Sequence, residues 1–236
     1  MTVLLSAILV IVFSFFALTR TQVGRNGLRL QLMRTFAAQF EGRLEIDRLS
    51  GNLVNDLFAG GVRLYDGDGA LVLSADSVVA RPSWRDLLRR RVTLGSLTLH
   101  RPEIHLERAD DGSWNVVQAL SKRRKGSGGG GDPWSFTSLN LRILDGAVSS
   151  RNVGRPPEAV SRGQIFDFTN ALASDLNVRA TVDWRTDARV VELQSASARI
   201  ETLDLDLARL QGQVVIEDDD LLLPLLDFRL GASHGR

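Results

Sequence analysis

The order of hydrophobic and polar positions divides the chain into three stretches of different period. Residues 3–18 have no period: they carry no charge, and twelve of the sixteen are Leu, Ile, Val or Phe. At roughly −0.3 to −0.6 kcal/mol each, these side chains favour membrane insertion by about −4 to −7 kcal/mol. Gly24, Leu28, Leu32, Phe36 and Phe40 then recur every four residues, with Arg25, Arg29, Gln31 and Arg34 between them. That spacing predicts an amphipathic helix over 22–41. From Gly42 the period falls to two. Leu44 and Ile46 alternate with Glu45 and Asp47. The same alternation returns at Val62/Leu64, Leu71/Leu73/Ala75, Leu97/Leu99, Ile104/Leu106, Leu139/Leu141/Ile143, Val178/Ala180/Val182/Trp184, Leu203/Leu205/Leu207 and Leu226/Phe228/Leu230. Strict alternation predicts strands with one dry and one wet face, as in antiparallel sheets.

Turn residues separate these runs. Asp66-Gly67-Asp68-Gly69 predicts a hairpin, Asp110-Asp111-Gly112 ends a strand, and Asp218-Asp219-Asp220 parts two more. Two short helices are expected, Trp84–Arg90 capped by Ser83 and Val116–Ser121 capped by Asn115. Lys122-Arg123-Arg124-Lys125 followed by Gly126-Ser127-Gly128-Gly129-Gly130-Gly131 reads as a basic, flexible linker. The expected organisation is therefore an anchor at 1–20, an amphipathic helix at 21–41, a β domain at 42–121, a linker at 122–133 and a continuing β segment at 134–236.

The first stretch reads as an uncleaved anchor. No Lys or Arg precedes the apolar run, and Phe15-Phe16-Ala17-Leu18 makes a poor cleavage site for a signal peptide. Met1 to Thr19 as a helix would span about 28 Å, just enough for a core of about 30 Å. Arg20, Arg25, Arg29 and Arg34 follow it, and by the positive-inside rule alone they would hold the chain in the cytoplasm.

Composition removes several functions. A net charge of +1 gives no field for nucleic acid, and the absence of cysteine excludes disulfides and most zinc or iron–sulfur sites. Aromatic residues make up 6 % against 44 % hydrophobic residues, so the apolar surfaces are aliphatic. No catalytic pattern stands out. His100 and His105 flank Arg101-Pro102-Glu103 at an expected strand break, without the spacing of a metal pair or a nearby nucleophile. Asp66 and Asp68 lack the remaining ligands of a calcium loop, and the glycines of the linker lack the Lys-Ser/Thr of a phosphate loop. No enzyme, metal or cofactor is expected.

Residues 44–121 resemble the N-terminal domain of the AsmA/TamB-like family, which is related to the chorein-type start of eukaryotic lipid-transfer bridges. An apolar anchor runs into a helix, then into Leu44-Glu45-Ile46-Asp47-Arg48-Leu49-Ser50-Gly51-Asn52-Leu53 and the hairpin around Asp66-Gly67-Asp68-Gly69. Trp84-Arg85-Asp86-Leu87-Leu88-Arg89-Arg90 follows, then Arg101-Pro102-Glu103-Ile104-His105-Leu106-Glu107-Arg108 and Asp111-Gly112-Ser113-Trp114-Asn115. Weaker similarity continues through Leu139–Gly146 and Leu226–Ser233.

The resemblance implies a mainly β protein: a transmembrane helix and an amphipathic helix, then an elongated, curled, antiparallel-type sheet with an apolar groove. It also implies a single-pass inner-membrane protein with its bulk in the periplasm, passing phospholipid toward the outer membrane. The alternative it carries is an assembly factor for outer-membrane barrels, acting with an Omp85-type partner through a C-terminal region expected to be absent here. The chain is shorter than a full bridge and is expected to be a fragment or to need partners, since a dozen strands would give only about 55 Å of groove. Groove candidates are Leu97, Leu99, Ile104, Leu106, Leu139, Leu141, Ile143, Leu203, Leu205, Leu207, Leu226 and Phe228. A β-sandwich would bury the same rows against a second sheet.

Overall fold

The computed structural model describes residues 22–51, 56–83, 92–110, 112–121, 123, 136–152, 170–184, 189–217 and 220–231. The expected anchor at 1–20, the expected helix Trp84–Arg90 and nearly all of the linker lie outside the described residues. The elements are α1 (Gln22–Gln39), β1 (Arg43–Gly51), β2 (Leu57–Tyr65), β3 (Leu71–Pro82), β4 (Val92–Arg108), α2 (Asn115–Leu120), β5 (Phe136–Asn152), β6 (Leu172–Trp184), β7 (Arg189–Ile200), β8 (Leu205–Glu217) and β9 (Asp220–Leu230). All nine strands lie in one sheet in chain order, and the sheet does not close on itself. No second sheet faces it among the described residues, so the sandwich alternative is not built.

The hairpin forms as its turn residues predict. The Asp66 carboxylate accepts hydrogen bonds from the Asp68 and Ala70 amides at 3.0 and 2.8 Å, joining β2 to β3. The expectation of an antiparallel-type sheet needs correction. β4 and β5 run parallel, from Val92 opposite Phe136 to Arg108 opposite Asn152, without a register shift. Residues 109–135 carry the chain back to the level where β4 began, and parallel neighbours require such a crossover. The sheet is therefore mixed, and it runs unbroken across the expected linker.

The strand break expected at Arg101 is a bend inside one strand. Arg101 takes a left-handed φ of 45°, and Leu97/Leu99 before it and Ile104/Leu106 after it belong to the same strand. One residue in this conformation shifts the alternation by one, so odd positions before it and even positions after it share a face. The neighbours bend at the same level. Asp145 on β5, with φ 54°, falls between the registered pairs His100–Leu144 and Glu103–Ala147, at the level of Arg101; Asp175 on β6 has φ 51°. Gly61 on β2, with φ 62°, lies opposite Asp76 of β3, which binds Arg101 Nε at 2.6 Å. Asn177 ties β6 to the line by accepting from the Asp145 amide and donating to the Asp175 carbonyl. Matched bulges let adjacent strands keep their pairing while the sheet bends across its strands.

α1 packs on the β1 end, where Leu28 and Met33 cover Ile46, Leu49, Ala59, Val62 and Ala75. Arg29 on α1 donates to the Ile46 and Asp47 carbonyls of β1, at 2.8 and 3.2 Å. The α1–β1 junction is closed from below by α2, through the Gly42 amide on the Ala119 carbonyl at 3.1 Å. Asn115 begins α2 instead of capping it from outside, and Trp114 is the N-cap. The Asn115 side chain is buried, accepting from the Glu107 and Val116 amides and donating to the His105 carbonyl. It thus replaces a neighbouring strand for the end of β4.

Candidate functional site

The bulges place most of the aliphatic rows on one face, and the register turns them into continuous lines across the strands. One line runs Leu49, Ala59, Val78, Leu99, Ile143, Val178, Ala196, Leu210, Phe228, touching every strand from β1 to β9. The next runs Gly51, Leu57, Ala80, Leu97, Leu141, Ala180, Leu193, Gly212, Leu226 over the same nine strands. Beyond the bend a third runs Leu44, Leu64, Leu73, Ile104, Val148, Ala173, Ile200, Leu205. No polar side chain interrupts these three lines. Eight steps at about 4.8 Å make the face about 38 Å long, shorter than a dozen strands would give.

Cover changes along the face. At the α1 end Leu49 is 8 % exposed and Ile46 7 %. Leu97, Leu99, Leu141 and Ile143 in the middle are half-buried. Phe228 at the β9 end of the same line is 58 % exposed. No described helix lies over β5 to β9.

Eleven of the twelve groove candidates lie on the strands expected. Leu97, Leu99, Ile104 and Leu106 are on β4, Leu139, Leu141 and Ile143 on β5, Leu205 and Leu207 on β8, and Leu226 and Phe228 on β9. Leu203 is the correction. It closes the short 3-10 turn Glu201–Leu203 before β8, is 48 % exposed, and is followed by Asp204 in the left-handed region at φ 46°. It shares no strand face with Leu205. Leu193, Ala196 and Leu210 complete the lines and were not expected; the phase slip between Leu193 and Ala196 is the signal that would have found β7.

The opposite face is mostly polar, apart from Phe58 opposite Val79 and Val190 opposite Val215, and it carries ion pairs of Arg63 with Glu45 and Asp47, Arg81 with Asp56, Arg101 with Asp76, and Arg151 with Glu107. A shallow depression of about 580 Å³ lies at the strand ends, lined in part by His105, Glu107, Ser149 and Arg151. His105 Nδ1 lies 2.9 Å from Ser149 Oγ. Glu107, two residues further, gives its carboxylate to Arg151 at 2.6 Å, so it does not orient the imidazole. Among the described residues no three His, Asp or Glu side chains gather as a metal would need, and no helix is long and apolar enough to cross a membrane.

Fold and face together define an open β-sheet protein with one continuous aliphatic surface. Neither the protein-family models nor the curated proteins compared with the chain give a match.

Proposed function

We propose that the chain is an inner-membrane-anchored periplasmic scaffold whose curled apolar sheet carries phospholipid toward the outer membrane. The observation that carries this reading is the set of unbroken aliphatic lines, left without described cover from β5 onward. From β4 to β9 the strip measures about 24 Å by about 20 Å. Apolar patches of several hundred Å² are costly in water and mark an occupant. Leu, Val and Ile side chains suit acyl tails, which need dispersion contacts and no directional partner. The lines run across the strands, so a tail lying along one meets no polar step from strand to strand. The aligned bulges support the curl, since bulged strands bend and twist more strongly. The apolar run at 3–18 and the amphipathic helix support anchoring.

Solvent extracts of the purified full-length protein should contain phospholipid by mass spectrometry. Ile143→Glu places a carboxylate in the middle of the nine-strand line, where water reaches it once lipid has left. That protein should fold and lose its lipid, whereas Glu103→Gln on the polar face should keep it. A folded Ile143→Glu protein with undiminished lipid would overturn the reading. A reporter fused after Arg236 should be active only in the periplasm.

The assembly-factor reading rests on β9, whose outer edge carries no strand among the described residues, and open edges can pair with client strands. Pro224 within β9 offers no N–H and shortens any such pairing. Crosslinking from position 229 to unfolded barrel proteins would favour it over lipid carriage.

A further inference from the structure

On the polar face, several arginines stand outside the ion pairs, and two of them face one another in the middle of the sheet. Arg142 of β5 and Arg179 of β6 stand directly opposite one another in register and are both exposed. Neither has an ion pair or hydrogen bond to a described residue. Their line continues with Thr98 on one side and Ser195 on the other, so it reads hydroxyl, guanidinium, guanidinium, hydroxyl over four adjacent strands. The nearest acid in register, Glu192, lies one step away opposite Thr181 and makes no ion pair with Arg179. Like charges directly opposite on a sheet destabilise it. An anion between them reverses that cost, and strands about 5 Å apart bring two guanidinium forks within reach of one tetrahedral oxyanion.

We propose that Arg142 and Arg179, flanked by Thr98 and Ser195, form a site for one phosphate-type oxyanion on the face of the sheet away from the aliphatic lines. The two guanidiniums donate to the phosphate oxygens between them, and the flanking hydroxyls add further donors to the same oxygens. The site does not depend on lipid carriage, because the two faces are separated by the sheet. A second facing pair, Arg209 and Arg229, lies on the last two strands, with no described strand beyond β9 to add a second flanking hydroxyl and with Asp227 nearby bonded to Gln211; it serves as a comparison.

The test titrates inorganic phosphate into the full-length protein in detergent, against chloride at equal ionic strength, by calorimetry and thermal melting. Phosphate should bind saturably and raise the melting temperature. Arg142→Gln should weaken binding about tenfold or more, and Arg229→Gln should leave it unchanged. Arg179→Glu is the decisive variant. It creates a cross-strand ion pair with Arg142, so the sheet should melt no lower without phosphate, while the phosphate response disappears. Phosphate acting no differently from chloride would overturn the site, as would an Arg179→Glu protein that still responds. Two further arms distinguish the source of the phosphate. Binding of glycerophosphate as tight as that of phosphatidylglycerol vesicles supports a soluble ester. Vesicle binding that is tighter, and lost in Arg179→Glu, supports a lipid headgroup.

Discussion

The two ends of the sheet are built from the same residue types on the same lines, yet only one of them is a core. Beneath α1, Ile46, Leu49, Ala59, Val62 and Ala75 are closed off by Leu28 and Met33. At the far end Leu210, Phe228 and Leu230 continue the aliphatic face with no described helix over them, and Phe228 and Leu230 are 58 % and 45 % exposed. Alternation thus specifies a dry face without specifying what dries it. One end receives its cover from α1, and no described helix lies over the other. The covered end is also the braced one, with Arg29 on the β1 carbonyls and α2 locked under the α1–β1 junction.

A charge walked along one line separates the two regimes most sharply. Leu49→Glu buries a carboxylate beneath α1 and should cost several kcal/mol, enough to melt the helix-covered end. Ile143→Glu should cost about 1–3 kcal/mol, and Phe228→Glu should stay within about 0.5 kcal/mol. Urea unfolding of the three variants measures the gradient. Equal losses at Leu49 and Phe228 would mean that the far end is covered as fully as the near one.

A smaller effect is expected where the brace is tightest. A Cβ on Gly42 would lie 2.5 Å from the Tyr65 carbonyl oxygen and 2.7 Å from that of Ala119. Gly42→Ala must push α2 or the end of β2 away, at about 1–3 kcal/mol. Amide exchange should quicken in α1, β1 and α2 and stay unchanged in β6 to β9. Uniform quickening would show that the two ends unfold as one unit.

Much of this was legible in the sequence, and the failures share a cause. The hairpin at Asp66–Gly69 was readable because its residues are the ones that turn requires. α1 was readable from its four-residue stripe, ending at Gln39 instead of 41. β4 read as two strands because a left-handed residue shifts the phase, and Arg101 is not a residue type that announces such a conformation. Leu203 was taken into β8 because the alternation runs on through Asp204, where the backbone in fact turns. β7 went unread because Ser195-Ala196-Ser197-Ala198 alternates polar with small, and Ala counts as apolar only beside larger neighbours. The parallel β4–β5 pair and the lines themselves arise from register, which depends on how distant segments meet, not on any one segment.

The smallest effect concerns the charge pairs that decorate the covered end without building it. Arg81 near the end of β3 grips Asp56 just before β2, with Nε to Oδ1 at 2.9 Å and Nη2 to Oδ2 at 3.2 Å. The hydrogen bond from Arg81 holds the Asp56 carboxyl below its ordinary range, against a partial desolvation that acts the other way. A carboxyl depressed in the folded state contributes its full stabilisation above the unfolded-state value of about 3.9, and loses it as pH falls through the folded value. Both side chains are open to solvent, so water and salt screen most of the attraction. Asp56→Asn should therefore lower the melting temperature only slightly at pH 7 and low salt. The gap to the unaltered protein should close as pH falls through the lowered folded value, and it should also close at pH 7 in high salt. Salt separates this pair from the buried row, because the deficit of Leu49→Glu comes from a sealed core that ions do not reach. A gap at Asp56 that persists in high salt would mean that the pair holds β2 and β3 together by geometry, and that the covered end owes less to α1 than its burial indicates.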